Sequence, residues 1–398
     1  MRIGTPGFVG SRLTEAREAS GLTLTSLAQL VNVNVASISQ YEHGRQSPSP
    51  EVMEAICDKL NFDLRFFQKP PVEHQADNIN FRSNSSATKT ARTKAGRRFG
   101  WAKEINWYLR EYLDMPPFNI PVFSMPEPEN LMSGQIEEAA EQCRIFWQLG
   151  LEPIEDVVLV LENNGVVMVR TALEAETLDA FSQWCVQDAT PYIVLSSDKG
   201  SAVRSRFDAA HELGHLILHR NVESRKINNA ATHRLMEQQA HRFAAAFLLP
   251  ATTFTNDVWA PTLDGFSSMK KYWKASIGTM ISRCEQLEIL SEDQARRCWI
   301  GMGRKGWRTQ EPFDNLLIPE QPRLLKRSIH LLVDEGIKSR EQIVAELRLP
   351  AAEIEDLTGL PRGYFSGLNV MQSLEPRIKQ SEEGAIGRGG ILEFPKWG

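Results

Sequence analysis

One short run restricts this chain more than any other segment: His211-Glu212-Leu213-Gly214-His215, set in the helical pattern of Arg206 to Arg220. Helix positions four apart lie on one face about a turn apart, so both imidazoles project to the same side. Phe207, Ala210, Leu213, Leu216 and Ile217 fill the opposite face and call for a second element packed alongside. Two histidines at this spacing can share one zinc ion, and Glu212 stands beside the first ligand within reach of a zinc-associated water.

Zinc needs at least one further protein ligand and an open position. The five cysteines, Cys57, Cys143, Cys185, Cys284 and Cys298, are scattered and form no Cys-x-x-Cys pair, so the ligand should be His or a carboxylate. Glu237, 22 residues beyond His215 at the start of the helix expected from Met236 to Leu249, is the best third ligand. His241, one turn later, is placed to orient a ligand from behind. His219 is about 12 Å along a straight helix from His211, too far to share an ion, and reads as a C-terminal residue facing the helix dipole. His233 is a weaker ligand candidate in a loop, and Asp208 suits the helix dipole or a supporting contact.

A chain of 398 residues is too long for one ordinary core and suggests two or three domains. Apolar positions recur at helical spacing from residue 8 to 67, with Thr23, Asn34 and Ser49 as N-caps. Residues 71–100 read as a basic linker. From Arg82 to Lys103 there are seven Lys or Arg and no Asp or Glu, which suits either a solvated connection or a phosphate backbone. Helices are expected near Trp107 and from Gln135 to Leu149. Pro153 to Leu161 fits a strand or a helix, with helix preferred, followed by a strand at Val166–Val169. Another short strand is expected at Tyr192–Leu195. The fold class is mainly α with a small β-sheet. The units are 1–70, the linker 71–100, 101–315, a helical region 316–370 and a loosely ordered tail 371–398.

Leu24 to Gly44 has a helix–turn–helix rhythm, with Ala28 small at a helix crossing, Val33 at the turn and Ile38 buried from the second helix. This segment resembles the Cro/repressor-like XRE family over residues 8–67. The resemblance implies five short helices, the third entering the major groove of double-stranded DNA. On that helix Asn34, Ser37 and Gln40 would face base edges, and Arg45 would reach phosphate. Residues 1–70 hold seven basic and seven acidic side chains. DNA affinity would then lean on the basic run or on dimerisation, so a homodimer is among the expected states.

Arg206 to His215, Glu237-x-x-Ala240-x-x-Phe243-Ala244, Leu248-Leu249-Pro250, Trp273 to Ile277, Gly306-Trp307-Arg308 and Glu311-Pro312 together resemble the ImmA/IrrE family of metallo-endopeptidases. The resemblance spans about residues 100–315. It implies an α+β zincin-like domain with zinc at His211, His215 and Glu237, and Glu212 as catalytic acid/base. The family commonly carries Asn where this chain has His241. Its members cleave helix-turn-helix repressors and so release stress or mobile-element genes.

Net charge is −5, against a protein that coats nucleic acid with its whole surface. No apolar run is long enough to span a bilayer and the first ten residues lack a secretory pattern, so a cytoplasmic protein without a membrane partner is expected. The expected function is a DNA-binding regulator that also cleaves a protein, a repressor or antitoxin among the substrates. The alternative is a non-catalytic regulator or antitoxin whose zinc fold senses a ligand or partner. The intact Glu212 favours the first, because a sensor has no use for it.

Overall fold

The computed structural model describes residues 4–70, 88–174, 178–198, 200–227 and 229–366. The first five elements are α1 (Gly10–Ala19), α2 (Leu24–Leu30), α3 (Val35–Glu42), α4 (Pro50–Leu60) and α5 (Leu64–Phe67). Thr23, Asn34 and Ser49 accept the backbone N–H of Ser26, Ala36 and Val52, so all three expected caps form. Leu13, Ala16, Leu27, Ala28 and Ile38 meet in the centre of this bundle.

A 22-residue helix follows, α6 (Lys89–Arg110). Residues 89–100, expected as linker from their charge, are its first half; residues 71–87 lie outside the described residues. The charge signal misled because four of these cations, Lys94, Arg97, Arg98 and Lys103, have partners. Arg98 is buried and donates to Glu353 at 2.8 Å and Asp356 at 2.5 Å. Arg97 pairs with Glu18 at 2.7 Å and Lys94 with Glu174 at 2.6 Å, while Lys103 lies 5.1 Å over the Phe99 ring. Trp101 packs edge-on against Phe62 at 5.7 Å and Phe66 at 6.1 Å, binding α6 to the five-helix bundle. Arg12 reaches Glu104 at 3.1 Å across the same seam.

Beyond α6 come α7 (Ser133–Phe146), α8 (Val157–Asn163) and three strands, β1 (Val167–Thr171), β2 (Ala180–Cys185) and β3 (Thr190–Ser196). The preferred helix-then-strand reading of residues 153–169 is the one observed. The sheet order is β1-β3-β2, with β1 parallel to β3 (Val167 opposite Tyr192) and β2 antiparallel to it (Ala180 opposite Leu195). Strand β2 was not expected from the sequence. The two-residue period sends Val167, Val169, Phe181, Tyr192 and Val194 into the core shared with α6. Val166, Met168, Ala180, Ile193 and Leu195 enter a second core on the opposite face.

That second core is built on α9 (Ala202–Leu218) and, past the short α10 (Ser224–Ile227), which adds no described residue to it, on α11 (Ala230–Leu248), α12 (Ala251–Asp257), α13 (Leu263–Trp273), α14 (Ile277–Gln286) and α15 (Glu292–Arg304). The last helices, α16 (Leu324–Asp334), α17 (Arg340–Leu347) and α18 (Ala351–Thr358), return to the first core and pack on α6 and β1. The sheet therefore divides two hydrophobic layers, one shared with the N-terminal bundle and one carrying the histidine helix. The expected tail 371–398 lies outside the described residues.

Candidate metal centre

Helices α9 and α11 cross closely because the crossing residues are small. A Cβ on Gly214 would stand 3.1 Å from the Phe243 ring and 3.3 Å from both the Cα and carbonyl oxygen of Ala240. This approach brings a carboxylate of α11 against two rings of α9. His211 Nε2 and His215 Nε2 are 3.1 Å apart. Glu237 Oε2 is 3.3 Å from the first ring and its Oε1 is 3.2 Å from the second. Ligands ~2.0–2.1 Å from a tetrahedral zinc ion stand about 3.3 Å apart. The two ring nitrogens meet that spacing, and each ring meets a different oxygen of Glu237. One ligand atom from each of the three residues lies within 4.8 Å of the others. Among the described residues, His211, His215 and Glu237 form the one group of this kind. Glu237 lies in the second turn of α11, which starts at Ala230 rather than near Met236. Desolvation of the half-buried Glu237 carboxyl opposes its charge, yet hydrogen bonds from His211 and His215 hold its pKa well below the ordinary carboxylate range.

A relay fixes how His215 faces the centre. Pro128 O can only accept, and Gln239 Nε2 donates to it at 2.7 Å. Gln239 Oε1 then accepts from His219 Nε2 at 3.0 Å. Burial, followed by the charge of His215, pushes the His219 imidazole down to about 3, so this ring is neutral and its Nδ1 is bare. That Nδ1 lies 3.0 Å from His215 Nδ1, which must therefore carry the proton. With a proton held at Nδ1, the Nε2 of His215 is the nitrogen left for a ligand once its contact with Glu237 gives up the proton, as ligation requires. His219 thus orients a ring, and the expectation that it faces the helix dipole is corrected: a neutral, 2% exposed imidazole has no charge to offer. Gln239 and Pro128 were not expected at the site. Gln239 sits two positions from Glu237 with no spacing signal, and Pro128 is more than 100 residues from it.

Glu212 is buried, and its pKa is raised because desolvation outweighs the favourable field of His215. Ser182 of the edge strand β2 approaches its carboxyl and favours the charged form, although the hydroxyl falls short of strict hydrogen-bond geometry. His241 lies against His211 with centroids 4.6 Å apart and the rings tilted by 55°. It makes ring contact rather than the hydrogen bond expected of it, and the buried His211 Nδ1 has no hydrogen-bond partner among the described residues. Burial, then the charge of His211, takes His241 down to about 4. His233 Nε2 is 3.6 Å from Glu237 Oε1. A cleft of about 930 Å³ begins beside His241, Phe207 and Asp208 and runs towards Trp299, Trp307 and Arg308.

In the N-terminal bundle, Ser37 and Gln40 stand one turn apart on α3 and are partly exposed, and Arg45 is exposed beyond it. Asn34 is exposed too, but its carboxamide oxygen is engaged 2.8 Å from Ala36 N as the helix cap. The cap bond uses one lone pair of that oxygen and leaves the amide NH2 exposed.

The family model for the IrrE N-terminal-like domain matches residues 161–285, from the end of α8 through α14. A helix-turn-helix domain model matches residues 9–65. The chain is similar to proteins named transcriptional regulator ClgR from Mycobacterium tuberculosis strains CDC 1551 / Oshkosh and ATCC 25618 / H37Rv. Each is 38% identical over 56 residues, 14% of this chain and 50% of the relative. The chain thus spans about half the length of the curated relatives it matches. Two domains are thereby identified, an XRE-like helix-turn-helix domain and an IrrE N-terminal-like domain that carries the His211–His215–Glu237 cluster.

Proposed function

We propose that this chain is a cytoplasmic DNA-binding transcriptional regulator whose IrrE-like half is a zinc-dependent endopeptidase acting on another protein, a helix-turn-helix repressor being the favoured substrate. The carrying observation is the convergence of His211, His215 and Glu237, whose ligand atoms all lie within 4.8 Å of one another, with Glu212 buried beside them. Zinc held there would supply Lewis acidity towards a water and a scissile carbonyl. The remaining work belongs to the chain. Glu212, made more basic by burial, would take a proton from the attacking water and deliver it to the leaving amine nitrogen. The His219–Gln239–Pro128 relay would keep His215 in its ligating tautomer. Strand β2, at the sheet edge next to Glu212, leaves one row of backbone groups unpaired with any described strand, so an extended peptide could add there.

For the other half, Ser37, Gln40 and Arg45 would meet a duplex from α3. The domain match and the similarity to transcriptional regulators support this. No described helix is long and apolar enough to cross a membrane, and the five cysteines are free, as a reducing compartment would have them.

The test is metal analysis joined to cleavage. Purified chain should hold about one zinc per molecule, and His211→Ala should abolish it. Glu212→Gln should keep the metal but lose cleavage of a purified helix-turn-helix repressor encoded beside the chain. Wild-type protein that cannot be loaded with zinc, or full cleavage by Glu212→Gln, would refute the peptidase reading. Full regulation by a metal-loaded, cleavage-incompetent variant would assign the domain to sensing instead.

A further inference from the structure

A second cavity, of about 390 Å³, lies between β1, the start of α16 and the end of α18, outside the metal centre. Its wall carries four cations, Arg170, Arg323, Lys326 and Arg327, together with His330, and, among the described residues, no carboxylate. Lys326, Arg327 and His330 stand on one face of α16, with Arg323 just before it at the N-cap, while Leu325, Ser328, Ile329 and Leu332 are buried from the other. Cations at this spacing repel one another unless a counter-charge is brought in.

Local carboxylates answer only part of that need. Arg323 donates to Asp156 at 3.0 Å, and His330 rests edge-on against Tyr364 with centroids 5.1 Å apart. Among the described residues no carboxylate pairs with Lys326 or Arg327. Arg170 is anchored by its terminal nitrogens to Ser196 O, Ser205 Oγ and Glu320 O at 3.1, 2.7 and 2.8 Å. Its Nε is buried without a hydrogen-bond partner among the described residues. That Nε is sealed from the cavity as it is from solvent, so Arg170 offers the site its positive charge rather than a free N–H.

We propose that this cavity binds a small ligand carrying two or more phosphate groups. The volume falls at the small end of the ~300–1,000 Å³ typical of ligand pockets, room for a diphosphate with a modest organic part. More than one phosphate matches Lys326, Arg327 and Arg170 together. The concave wall favours a small molecule over a duplex backbone, which needs an open track. The position also links both halves of the molecule. Arg170 holds Ser205 of α9 and the backbone of Glu320, whose carboxylate pairs with Arg206 on α9, the helix of His211 and His215. Thr358 and Gly359 in the wall follow Asp356, which holds Arg98 of α6 and Thr171 of β1. A ligand here would bridge α16, α18 and β1 where the two cores adjoin.

The test is calorimetric titration of the full chain with inorganic pyrophosphate at physiological salt. The His211→Ala background keeps chelation at the metal centre from contributing heat. Saturable binding of one pyrophosphate per chain is expected. Lys326→Gln and Arg327→Gln should each weaken it about tenfold, the usual worth of one charge-assisted hydrogen bond. Arg296→Gln on α15 should leave it unchanged. If the α16 variants fail to fold, protection of Arg327 in the parent protein from an arginine-directed reagent, read by mass spectrometry, takes their place. The proposal is overturned by absence of saturable binding, by equal loss in Arg296→Gln, by modification of Arg327 that pyrophosphate does not slow, or by α16 variants that weaken duplex DNA binding alone.

Discussion

Replacing Gly214 with Ala tests the close crossing that brings Glu237 to the two imidazoles. In the middle of α9, Gly→Ala alone should favour the helix by up to ~1 kcal/mol. The added methyl would stand 3.1 Å from the Phe243 ring and 3.3 Å from the Ala240 backbone, closer than ordinary contact. Phe243 is fully buried and stacked on Phe247 at 6.0 Å, and Ala240 is fully buried as well, so neither yields cheaply. Overpacking of this kind costs ~1–3 kcal/mol. The net expectation is destabilisation by ~0–3 kcal/mol, the difference of those two ranges. A shift of a few tenths of an ångström at Ala240 would also move Glu237, three residues earlier. Gly134→Ala on α7 is the control, because nothing lies within 4 Å of its added methyl. Denaturant melts should place Gly214→Ala below Gly134→Ala by ~1–3 kcal/mol, the overpacking cost alone. Zinc competition titrations should show weaker metal binding in Gly214→Ala only. Equal stability of the two variants together with unchanged zinc affinity would refute the packing argument.

Lys270, fully buried, donates to Glu311 at 2.7 Å and Asp314 at 2.5 Å, so Lys270→Met leaves two carboxylates uncompensated and should cost ~3–5 kcal/mol in equilibrium unfolding. Burial pushes the Glu162 carboxyl up to about 7, even though the N–H groups of Arg323 and Leu324 donate to it. The native state then holds this proton more tightly than the unfolded chain does. The stability it contributes is fully present below ~4.3, is lost as pH rises through about 7, and is flat above. Unfolding measured across that window should show the decline in the parent and a flatter profile in Glu162→Gln. For DNA, Gln40→Ala should cost ~1–3 kcal/mol on a specific operator and relax its sequence preference, while Arg45→Ala should weaken all duplexes alike and lower the salt slope by ~1, both read by titration at several salt concentrations.

The N-terminal bundle was legible almost residue by residue, because helix caps and i, i+4 apolar spacing are local signals. Thr23, Asn34 and Ser49 cap the helices as expected, and Ile38 is buried as expected. The histidine pair was equally readable, since one helix turn sets its geometry. Strand β2 was not. Ala180–Cys185 lacks clear alternation because both of its faces are covered, one by each core. The basic run also misled, because charge in a sequence says nothing of its counter-charge. Arg98 finds Glu353 and Asp356, more than 250 residues away.

The sequence by itself determined the helix that projects His211 and His215 to one side, the carboxylate of Glu212 next to them and a helix-turn-helix at the start of the chain. Those properties follow from bonds between near neighbours. Only the tertiary structure decided that Gly214 lets α11 come close enough for Glu237 to join the rings, and that His219 and Gln239 set the face His215 presents. It also decided that α16 turns its row of cations towards Arg170. Each of these depends on separations of a few ångströms between segments far apart in the chain, which packing fixes and residue order does not.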